Sequence, residues 1–543
     1  MDALNKNSTV LIIIFLITIS QTYFSLLNTD HIATDDDSVN DFITSLIKSC
    51  KRENKQTCKT HLSELESLSS SLSATRRRAL LLIFLKESVS KINTAMTSVR
   101  QEETSTAKEN LVLVYEMWTS AKDGIIDSME ELRRAGEKLS PKSYANIHTW
   151  LSSVLTSHLT SLDETYEGPF KRNVGSVLED HIARARVALA IFTSISPRHS
   201  EIKSTSVVPD HPSWLSDGDK KNLNLSPQVL KHTADVVVAK DGSGNYRSIN
   251  EAIAAAPRLS AKRFVVYVKK GIYVEIVNIA THNITLIGDG PTSTILTGSL
   301  NRNDGTKTFN TATLASNGDG FWAIDMCFRN TAGPTKGPAV ALRVSGDISI
   351  IYRCRIEGYQ DALYPHRKRQ FYRECYITGT VDFICGFASA VFQYCTIVAR
   401  KPMNKQANMI TAQARPNLKK VSGFTFQKCN ITASADLANV KTTVKTYLGR
   451  PWSEYATVAF IESYIDDLVD PAGWAEWNGK IGVKTFYREY DNHGSGADTS
   501  RRVKWTGFKA TTDPKEVTYF TVTKLLQGEL WLNATGVPYE GGF

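Results

Sequence analysis

A short pattern recurs along the second half of this chain: a cysteine with isoleucine two positions later and an aromatic residue shortly before it. The intervals between copies run from 20 residues (375 to 395) to 34 residues (395 to 429). Such intervals are typical of stacked units, each of which buries its apolar face on its neighbours. Short β-branched and aromatic runs bounded by Gly, Asn and Asp, with few hairpin signals, predict a parallel β-helix. The copies begin at Cys354, Cys375, Cys395 and Cys429, with a looser early copy at Cys327 and a late one at Ser463.

Two aspartates occupy the same place in neighbouring copies. Asp361 lies seven residues after Cys354, and Asp382 lies seven residues after Cys375. Residues one coil apart in a parallel β-helix stack at about 4.8 Å, so we expect the two carboxyl groups to be neighbours. Two carboxyl groups this close cannot both ionise easily, so we expect the pKa of one to rise and that of the other to fall. One group could then donate a proton while the other acts as a carboxylate nucleophile. Spacing alone fits turn-forming aspartates or part of a cation site equally well.

The first half of the chain has a different periodicity. Between residues 38 and 198, apolar residues recur three and four apart with few breakers, which predicts an antiparallel helical bundle. Residues 199–235 lack this periodicity and are rich in Pro, Ser, Asp and Lys, which predicts a linker. One short helix is expected near 248–256, where Ser248 can cap the N-terminus with Glu251 three residues on. The predicted bundle helices are 41–50, 80–99, 111–137 and 144–162.

The N-terminus predicts export. Residues 1–27 contain Lys6 and then the apolar run VLIIIFLITIS, which is typical of a signal peptide, with an uncleaved signal-anchor as the alternative. Secretion permits disulfides and N-glycosylation. Cys50 and Cys58 are close enough to close a small loop, and Cys354 and Cys375 are a second candidate pair if their geometry allows. Sequons occur at Asn224, Asn283, Asn430 and Asn533.

Charge and composition limit the kinds of partner that this protein is expected to bind. The formal net charge of +9 over 543 residues permits an anionic partner without specifying one. The sequence contains no metal-ligand cluster and no phosphate-binding loop, so we expect neither a metal nor a cofactor. Nucleic acid is not an expected partner.

Five motifs identify a family. They are GIYVE (271–275), GPAVALRV (337–344), YQDALY (359–364), GTVDFICG (379–386) and LGRPW (448–452). In this order they resemble the motifs of plant pectin methylesterases, over residues 235–540. The resemblance implies a mainly β fold, a right-handed parallel β-helix catalytic domain at 236–543, after an all-α four-helix bundle. It also implies a secreted cell-wall enzyme that hydrolyses the methyl esters of homogalacturonan (pectin) to pectate and methanol by aspartyl covalent catalysis.

The resemblance also implies residue roles. Asp382 would attack the methyl-ester carbonyl, and Asp361 would protonate departing methanol and then activate water. Arg450 would keep Asp382 ionised, since an opposite charge lowers the pKa of an acid, and Gln360 would donate to the oxyanion. The family positions that contact the sugar chain correspond here to Thr308, Phe309, Pro338, Tyr364 and Trp452.

Two departures from the family pattern leave an alternative open. Pro338 stands where the family has a second oxyanion-donating Gln, and Cys385 stands where it has Phe. Loss of one such donor costs on the order of 100- to 1,000-fold in rate. A catalytically impaired pectin-binding protein is therefore the second hypothesis. A third is another β-helix polysaccharide enzyme, because carboxyl groups about 5 Å apart also suit a retaining glycosidase.

The helical half resembles the plant pectin methylesterase inhibitor domain, through Cys50, Cys58 and the segment TWLSSVLT (149–156). The family usually has a second disulfide, whose positions correspond here to Leu111 and Ser161. Because one missing bridge costs roughly 2–4 kcal/mol, we expect a less stable bundle with weak inhibitory activity. The family's processing motif is degraded here to KKNL (220–223). The implied protein partners are pectinesterase inhibitors and a processing protease.

Overall fold

The computed structural model describes residues 74–99, 105–136, 138–195, 227–257 and 261–543. All of them belong to one compact unit that spans residues 49–543. Predictions for the signal segment 1–27, the helix 41–50, the Cys50–Cys58 bridge and the KKNL motif fall outside the described residues. Within the described part of the chain, no helix is long and apolar enough to cross a membrane.

Among the residues that the structure describes, four long helices precede the β region: α1 (Ala74–Val99), α2 (Ser105–Arg134), α3 (Pro141–Glu164) and α4 (Pro169–Ile195). Ser140 caps α3 by accepting a hydrogen bond from the backbone N–H of Ser143 at 3.0 Å, and Pro141 occupies the first turn. The predicted helices at 80–99, 111–137 and 144–162 are confirmed, and α4 is a further helix that sequence periodicity did not delimit. Trp118 and Phe192 are fully buried in the bundle core.

Three short helices accompany the β region: α5 (Pro227–His232), α6 (Ile249–Ala254) and α7 (Ala435–Ala438). Helix α6 is the one expected near 248–256. Its capping box is complete, because Ser248 accepts from the backbone of Glu251 and the Glu251 side chain accepts from the backbone of Ser248. Helix α5 lies inside the segment predicted as linker, and its Leu230 packs with Val265 on the outside of the β region.

In the described residues, twenty-six strands form three parallel sheets, so the predicted parallel β-helix is confirmed. Sheet 1 contains β1 (Val236–Val238), β2 (Phe264–Val268), β5 (Ile284–Gly288), β8 (Trp322–Ile324), β11 (Ser349–Tyr352), β14 (Arg369–Arg373), β17 (Ser389–Gln393), β20 (Gly423–Gln427), β23 (Thr457–Ile461), β25 (Phe486–Tyr490) and β26 (Phe508–Thr511). Sheet 2 contains β4 (Val277–Ile279), β7 (Leu314–Ser316), β10 (Leu342–Val344), β13 (Leu363–Pro365), β16 (Ile384–Gly386), β19 (Asn408–Gln413) and β22 (Thr446–Pro451). Sheet 3 contains β3 (Gly271–Val274), β6 (Thr294–Gly298), β9 (Cys327–Asn330), β12 (Arg355–Glu357), β15 (Tyr376–Gly379), β18 (Thr396–Ala399), β21 (Asn430–Ala433) and β24 (Tyr464–Ile465).

The cysteine repeat marks the turn between sheets 1 and 3. Each of its cysteines follows a residue in the left-handed region, for example Arg353 (φ 50°) and Glu374 (φ 54°). The early copy predicted at Cys327 is wrong by one residue. Met326, not Cys327, holds the position equivalent to Cys354. The Met326 carbonyl accepts from the backbone N–H of Arg355, just as the Cys354 carbonyl accepts from the backbone N–H of Tyr376 on the next coil.

The disulfide considered between Cys354 and Cys375 does not form. The six cysteines of the described residues are all buried free thiols. The thiols donate to backbone carbonyls instead, Cys354 to Tyr352 at 3.4 Å and Cys375 to Ile351 at 3.2 Å. These cysteines remain unpaired because they serve as small side chains that fill a narrow apolar interior.

Stacked side chains fill the β-helix. Phe426 lies face to face with Phe392 (ring centroids 4.6 Å apart) and with Phe460 (4.7 Å). Asn283, one of the four sequons, is buried at 6% exposure and is therefore not an expected glycosylation site, whereas Asn430 is exposed.

Helices α2 and α3 pack on the outer face of the β-helix. Leu113 and Met117 of α2 belong to one buried cluster with Phe309 and Tyr364. Ser152 of α3 accepts a hydrogen bond from the backbone N–H of Val421 at 3.1 Å. The outer face of sheet 2 is therefore covered by the bundle.

Candidate active site

The floor of the candidate site is one row of side chains across the outer face of sheet 2. Alternate residues of a strand point to opposite faces. Leu342, Leu363 and Ile384 therefore enter the interior core while their neighbours point outward. The outward row, given by strand register, is Ala315, Arg343, Tyr364, Cys385, Ala412 and Arg450.

Asp361 and Asp382 lie on neighbouring coils, as their spacing predicts. Each precedes its strand of sheet 2 by two residues, and Leu363 pairs with Ile384. The backbone N–H of Asp361 donates to the carbonyl of Val381 at 3.1 Å. Both aspartates adopt left-handed backbone conformations, with φ of 57° and 50°, which non-glycine residues rarely take outside turns and functional sites.

Arg450 holds Asp382 through a two-point contact. Its Nε donates to one carboxylate oxygen at 2.8 Å and its Nη2 to the other at 2.6 Å. Arg450 lies on β22, two strands along sheet 2 from β16, the strand that Asp382 precedes; in register, Arg450 pairs with the small Ala412, and Ala412 pairs with Cys385. A guanidinium fixed in this way orients the carboxylate as well as stabilising its charge.

Burial affects both carboxyl groups. It raises the pKa of Asp361 well above its ordinary value, and the charges of Asp382 and Glu164 raise it further. Burial also raises the pKa of Asp382, while Arg450 acts in the opposite direction. Asp361 is therefore the group that keeps a proton. The expectation that the pKa of Asp382 falls is wrong, because burial outweighs the arginine.

Aromatic rings form one wall. Trp452 lies 4.9 Å from Phe387, 6.4 Å from Tyr364 and 6.3 Å from Trp477, between ring centroids. Arg450 lies 4.3 Å over the Trp477 ring. Tyr364 and Trp452 were expected here, whereas Phe387 and Trp477 were missed. Phe387 directly follows GTVDFICG, a signal that sequence reasoning could have used.

Phe309 and Thr308 are also present at the site. The ring of Phe309 is fully buried, with the guanidinium of Arg343 only 3.4 Å from its centroid. Thr308 accepts a hydrogen bond from Arg302 at 3.2 Å. His366 was missed by sequence reasoning, although it lies two residues beyond Tyr364 and so on the same face. Its ring is 5.1 Å from that of Phe309.

The residues that depart from the family pattern are close to the carboxyl pair. Gln360 directly precedes Asp361, and its carbonyl accepts from the backbone N–H of Ala339, the residue after Pro338, at 3.1 Å. The Cys385 thiol is buried in the cluster with Tyr364 and Phe387. Burial and the two aspartates raise its pKa well above the ordinary value, so it is a neutral thiol. In the described ranges, no group of three or more His, Cys, Asp or Glu side chains is placed to hold a metal ion.

Comparison with known proteins agrees with this geometry. Residues 235–529 match the family model "Pectinesterase", and residues 44–196 match "Plant invertase/pectin methylesterase inhibitor". "Probable pectinesterase/pectinesterase inhibitor 19" of Arabidopsis thaliana is 60% identical over 502 residues, 90% of this chain and 95% of that protein. "Pectinesterase 1" of Solanum lycopersicum is 44% identical over 501 residues, 91% and 90% of the two chains. The solved pectin methylesterase from carrot is 48% identical with a TM-score of 0.56, and covers 57% of this chain and 98% of its own.

Proposed function

Because this chain belongs to the pectinesterase family, we propose that Asp382 and Asp361 divide nucleophilic and acid–base work in the de-esterification of pectin. The enzyme class is a carboxylic ester hydrolase, and the products are pectate and methanol. Membership of this family removes the glycosidase or lyase hypothesis.

In the first step, a carboxylate oxygen of Asp382 attacks the C6 carbonyl of a methyl galacturonate unit. The tetrahedral intermediate collapses to an acyl-enzyme, an anhydride of Asp382, as the C–O bond to methoxide breaks. The proton that leaves with methanol comes from Asp361, which is suited to this by its raised pKa. Gln360 is assigned to the developing oxyanion.

In the second step, Asp361 is now a carboxylate and acts as the base. It takes a proton from water while the water oxygen attacks the acyl carbonyl. Cleavage of the anhydride returns Asp382 as a carboxylate held by Arg450, leaves a galacturonic acid unit, and returns Asp361 to its protonated form. The cycle needs two carboxyl groups of unequal proton affinity, and the direct ion pair of Arg450 with Asp382 contributes to that difference.

The observation that carries these roles is the contact of Arg450 with both oxygens of Asp382, at 2.6 and 2.8 Å. Methanol release from methylated pectin by residues 227–543 tests them. This region is expected to fold alone, because the carrot chain corresponds to 57% of this one and is covered to 98%. Activity equal to that of an Asp382→Ala control would refute the assignment.

An impaired, pectin-binding role is a second candidate, favoured by Pro338. Proline supplies neither a side-chain amide nor a backbone N–H to an oxyanion. A protein of this kind binds methylated pectin without releasing methanol above the control.

The bundle is proposed to cover the site until it is removed. Helices α2 and α3 lie over the residues of sheet 2, as the cluster of Leu113 and Met117 with Tyr364 supports. Cleavage in the linker at 199–235, with Lys220–Lys221 as a proposed point, would then expose the site to polymer. A processing protease and pectinesterase inhibitor proteins are the corresponding partners, and secretion to the cell wall, where pectin resides, is the proposed location.

A further inference from the structure

Two four-residue turns carry the carboxyl pair, and they have the same form. The Asp361 turn is GYQD (358–361), and the Asp382 turn is GTVD (379–382), one coil further on. The backbone N–H of Thr380 donates to the carbonyl of Tyr359 at 3.0 Å, so the turns are stacked. Each turn ends in an aspartate with left-handed backbone, with φ of 57° and 50°. Such conformations persist only where the surrounding structure holds them.

Arg400, which directly follows β18, is hydrogen-bonded to both turns. Its backbone N–H donates to the carbonyl of Gly379 in the Asp382 turn at 2.8 Å. Its side chain reaches the Asp361 turn, where Nη1 donates to the carbonyl of Gly358 at 3.1 Å and Nη2 to the hydroxyl of Tyr359 at 2.7 Å. The guanidinium carbon also lies 3.9 Å from the centroid of the Tyr359 ring. A planar guanidinium can donate in two directions and stack on a ring at once, which an ammonium cannot.

Arg400 is itself fixed by the next coil. Its carbonyl accepts from Nδ2 of Asn408 at 3.0 Å. Asn408 is fully buried on β19, and its Nδ2 also donates to Thr446 Oγ1 at 3.2 Å. All of these partners belong to the β-helix, so the contacts of Arg400 do not depend on the helical bundle.

We propose that Arg400 is a positioning residue, which ties the Asp361 turn to the Asp382 turn and so fixes the relative placement of Gln360 and the two carboxyl groups. It acts through Gly358 and Tyr359, which precede Gln360. This inference rests on the proposed function, because it assigns how the geometry of that reaction is maintained. Since a misplacement of about 1 Å can cost about 100-fold in rate, loss of these contacts lowers kcat and has little effect on KM.

Methanol release from methylated pectin by residues 227–543, with kcat and KM measured separately, tests this assignment. Arg400→Met keeps the side-chain stem but removes the guanidinium, and is expected to lower kcat about 10- to 100-fold with KM nearly unchanged. Arg400→Lys keeps the charge without the planar fork, so its kcat is expected to lie between the two. Tyr359→Phe keeps the ring and loses only the hydroxyl contact, so it is expected to lower kcat less. It should add little to Arg400→Met, because both changes remove one interaction.

The pH dependence of kcat separates positioning from general stability. Burial raises the pKa of Asp361, and the charge of Asp382 raises it further. Glu164 acts in the same direction in the full chain, while Arg450 and Arg302 oppose it. A displaced Asp361 turn is less buried and farther from Asp382, so the pKa of Asp361 falls. The basic limb of kcat, which requires protonated Asp361, is then expected to move to lower pH, whereas a variant that is only less stable loses amplitude without moving that limb.

Arg373→Met is the matched control. The Arg373 guanidinium lies 4.0 Å from the centroid of the Tyr394 ring and donates to Gln393 of the neighbouring coil at 3.3 Å, but at the turn between sheets 1 and 3. This variant should leave kcat and its basic limb unchanged. If Arg400→Met and this control have equal kcat and equal basic limbs, with thermal unfolding showing that both are folded, the assignment is overturned. Should Arg400→Met not fold, an unchanged kcat and basic limb in Tyr359→Phe overturns it instead.

An NMR titration of the Asp361 carboxyl carbon, assigned with Asp361→Asn, measures the same displacement without turnover. If methanol release does not exceed that of Asp382→Ala while Arg400→Met still lowers the pKa of Asp361, the esterase roles are rejected and the positioning role is kept. If methanol is released but neither kcat nor this pKa responds to Arg400→Met, the positioning role alone is rejected. The two proposals therefore fail separately.

Discussion

Arg450 reaches across one strand of sheet 2 and closes on both carboxylate oxygens of Asp382, at 2.6 and 2.8 Å. The strand between them is β19, whose outward residue beside Arg450 is the small Ala412. The contact has an electrostatic role, because burial raises the pKa of Asp382 and only Arg450 opposes it. The ionised form of the nucleophile is thus favoured by an interaction that arises 68 residues further along the chain.

Arg450→Gln is expected to raise the pKa of Asp382 further. Asp382 must be ionised to attack, so a higher pKa lowers the active fraction at any acidic pH and moves the acid limb of kcat/KM upward in pH. We expect a fall on the order of 100-fold at neutral pH, similar to the loss of one preorganised electrostatic contact. A pH–rate profile of residues 227–543 measures both effects. Arg329→Gln, which breaks an ion pair with Glu357 on sheet 3, is the control and should behave as wild type.

Pro338→Gln restores an amide at the position of the second oxyanion donor. Its carbonyl, which accepts from Arg302 at 2.9 Å, is retained in the variant. If the proline limits the reaction, kcat is expected to rise by about 100-fold. Pro334→Gln makes the same chemical change at the start of a neighbouring turn and should leave kcat unaltered. No rise at 338 would indicate that the site works without a second side-chain donor.

Acid is expected to weaken the bundle through two buried histidines. Burial lowers the pKa of His181 to about 4 and that of His158 well below its ordinary value. The rings lie 5.0 Å apart, with the Trp118 ring 5.4 Å from His181. Below pH 6.5 these two histidines bind protons in the unfolded chain but not in the folded bundle, so their contribution to stability falls as pH falls.

For His181 alone this loss approaches about 3 kcal/mol near pH 4. Hydrogen exchange of α4 amides in the full chain, compared at pH 7 and pH 4.5, measures it. His181→Phe should reduce the difference between the two pH values. The same pH dependence of protection in His181→Phe and in the unmodified chain would contradict the prediction.

A buried ion pair near the C-terminal end of the β-helix is expected to be costly to break. Arg502 and Glu489 are each 1% exposed and contact at 2.9 Å, and Glu489 also accepts from Trp474 Nε1 at 3.1 Å. Arg502→Met leaves an unpaired buried carboxylate, which costs about 3–5 kcal/mol. Denaturant unfolding of residues 227–543 measures this. The double variant with Glu489→Leu should recover most of the loss, and a double variant as unstable as the single one would argue for lost packing instead.

Much of the fold was predictable because it depends on local periodicity. The β-helix follows from repeated short strands, and the 21-residue offset alone puts Asp361 and Asp382 on adjacent coils. The assignment of the repeat was wrong by one residue where two neighbouring residues are of similar polarity. Met326 and Cys327 are both apolar, and only the hydrogen bond to Arg355 shows which one occupies the stack.

Tertiary structure decided the state of the residues that the sequence identified. Whether Cys354 and Cys375 join depends on side-chain direction within a filled interior, where their thiols bond to carbonyls instead. The pKa of Asp382 depends on how deeply the folded protein buries its carboxyl group. The spacing of residues in the sequence carries no information about that burial.

The sequence by itself determined the coil repeat, the paired aspartates and the family motifs, since these are patterns of neighbouring residues and fixed offsets. Only the tertiary structure decided that α3 brings Thr160 and Glu164 onto the site, beside His366 and Phe309. Those contacts join residues 206 and 145 positions apart. Their formation depends on how two differently built regions pack, and packing over such separations leaves no periodic trace in the chain.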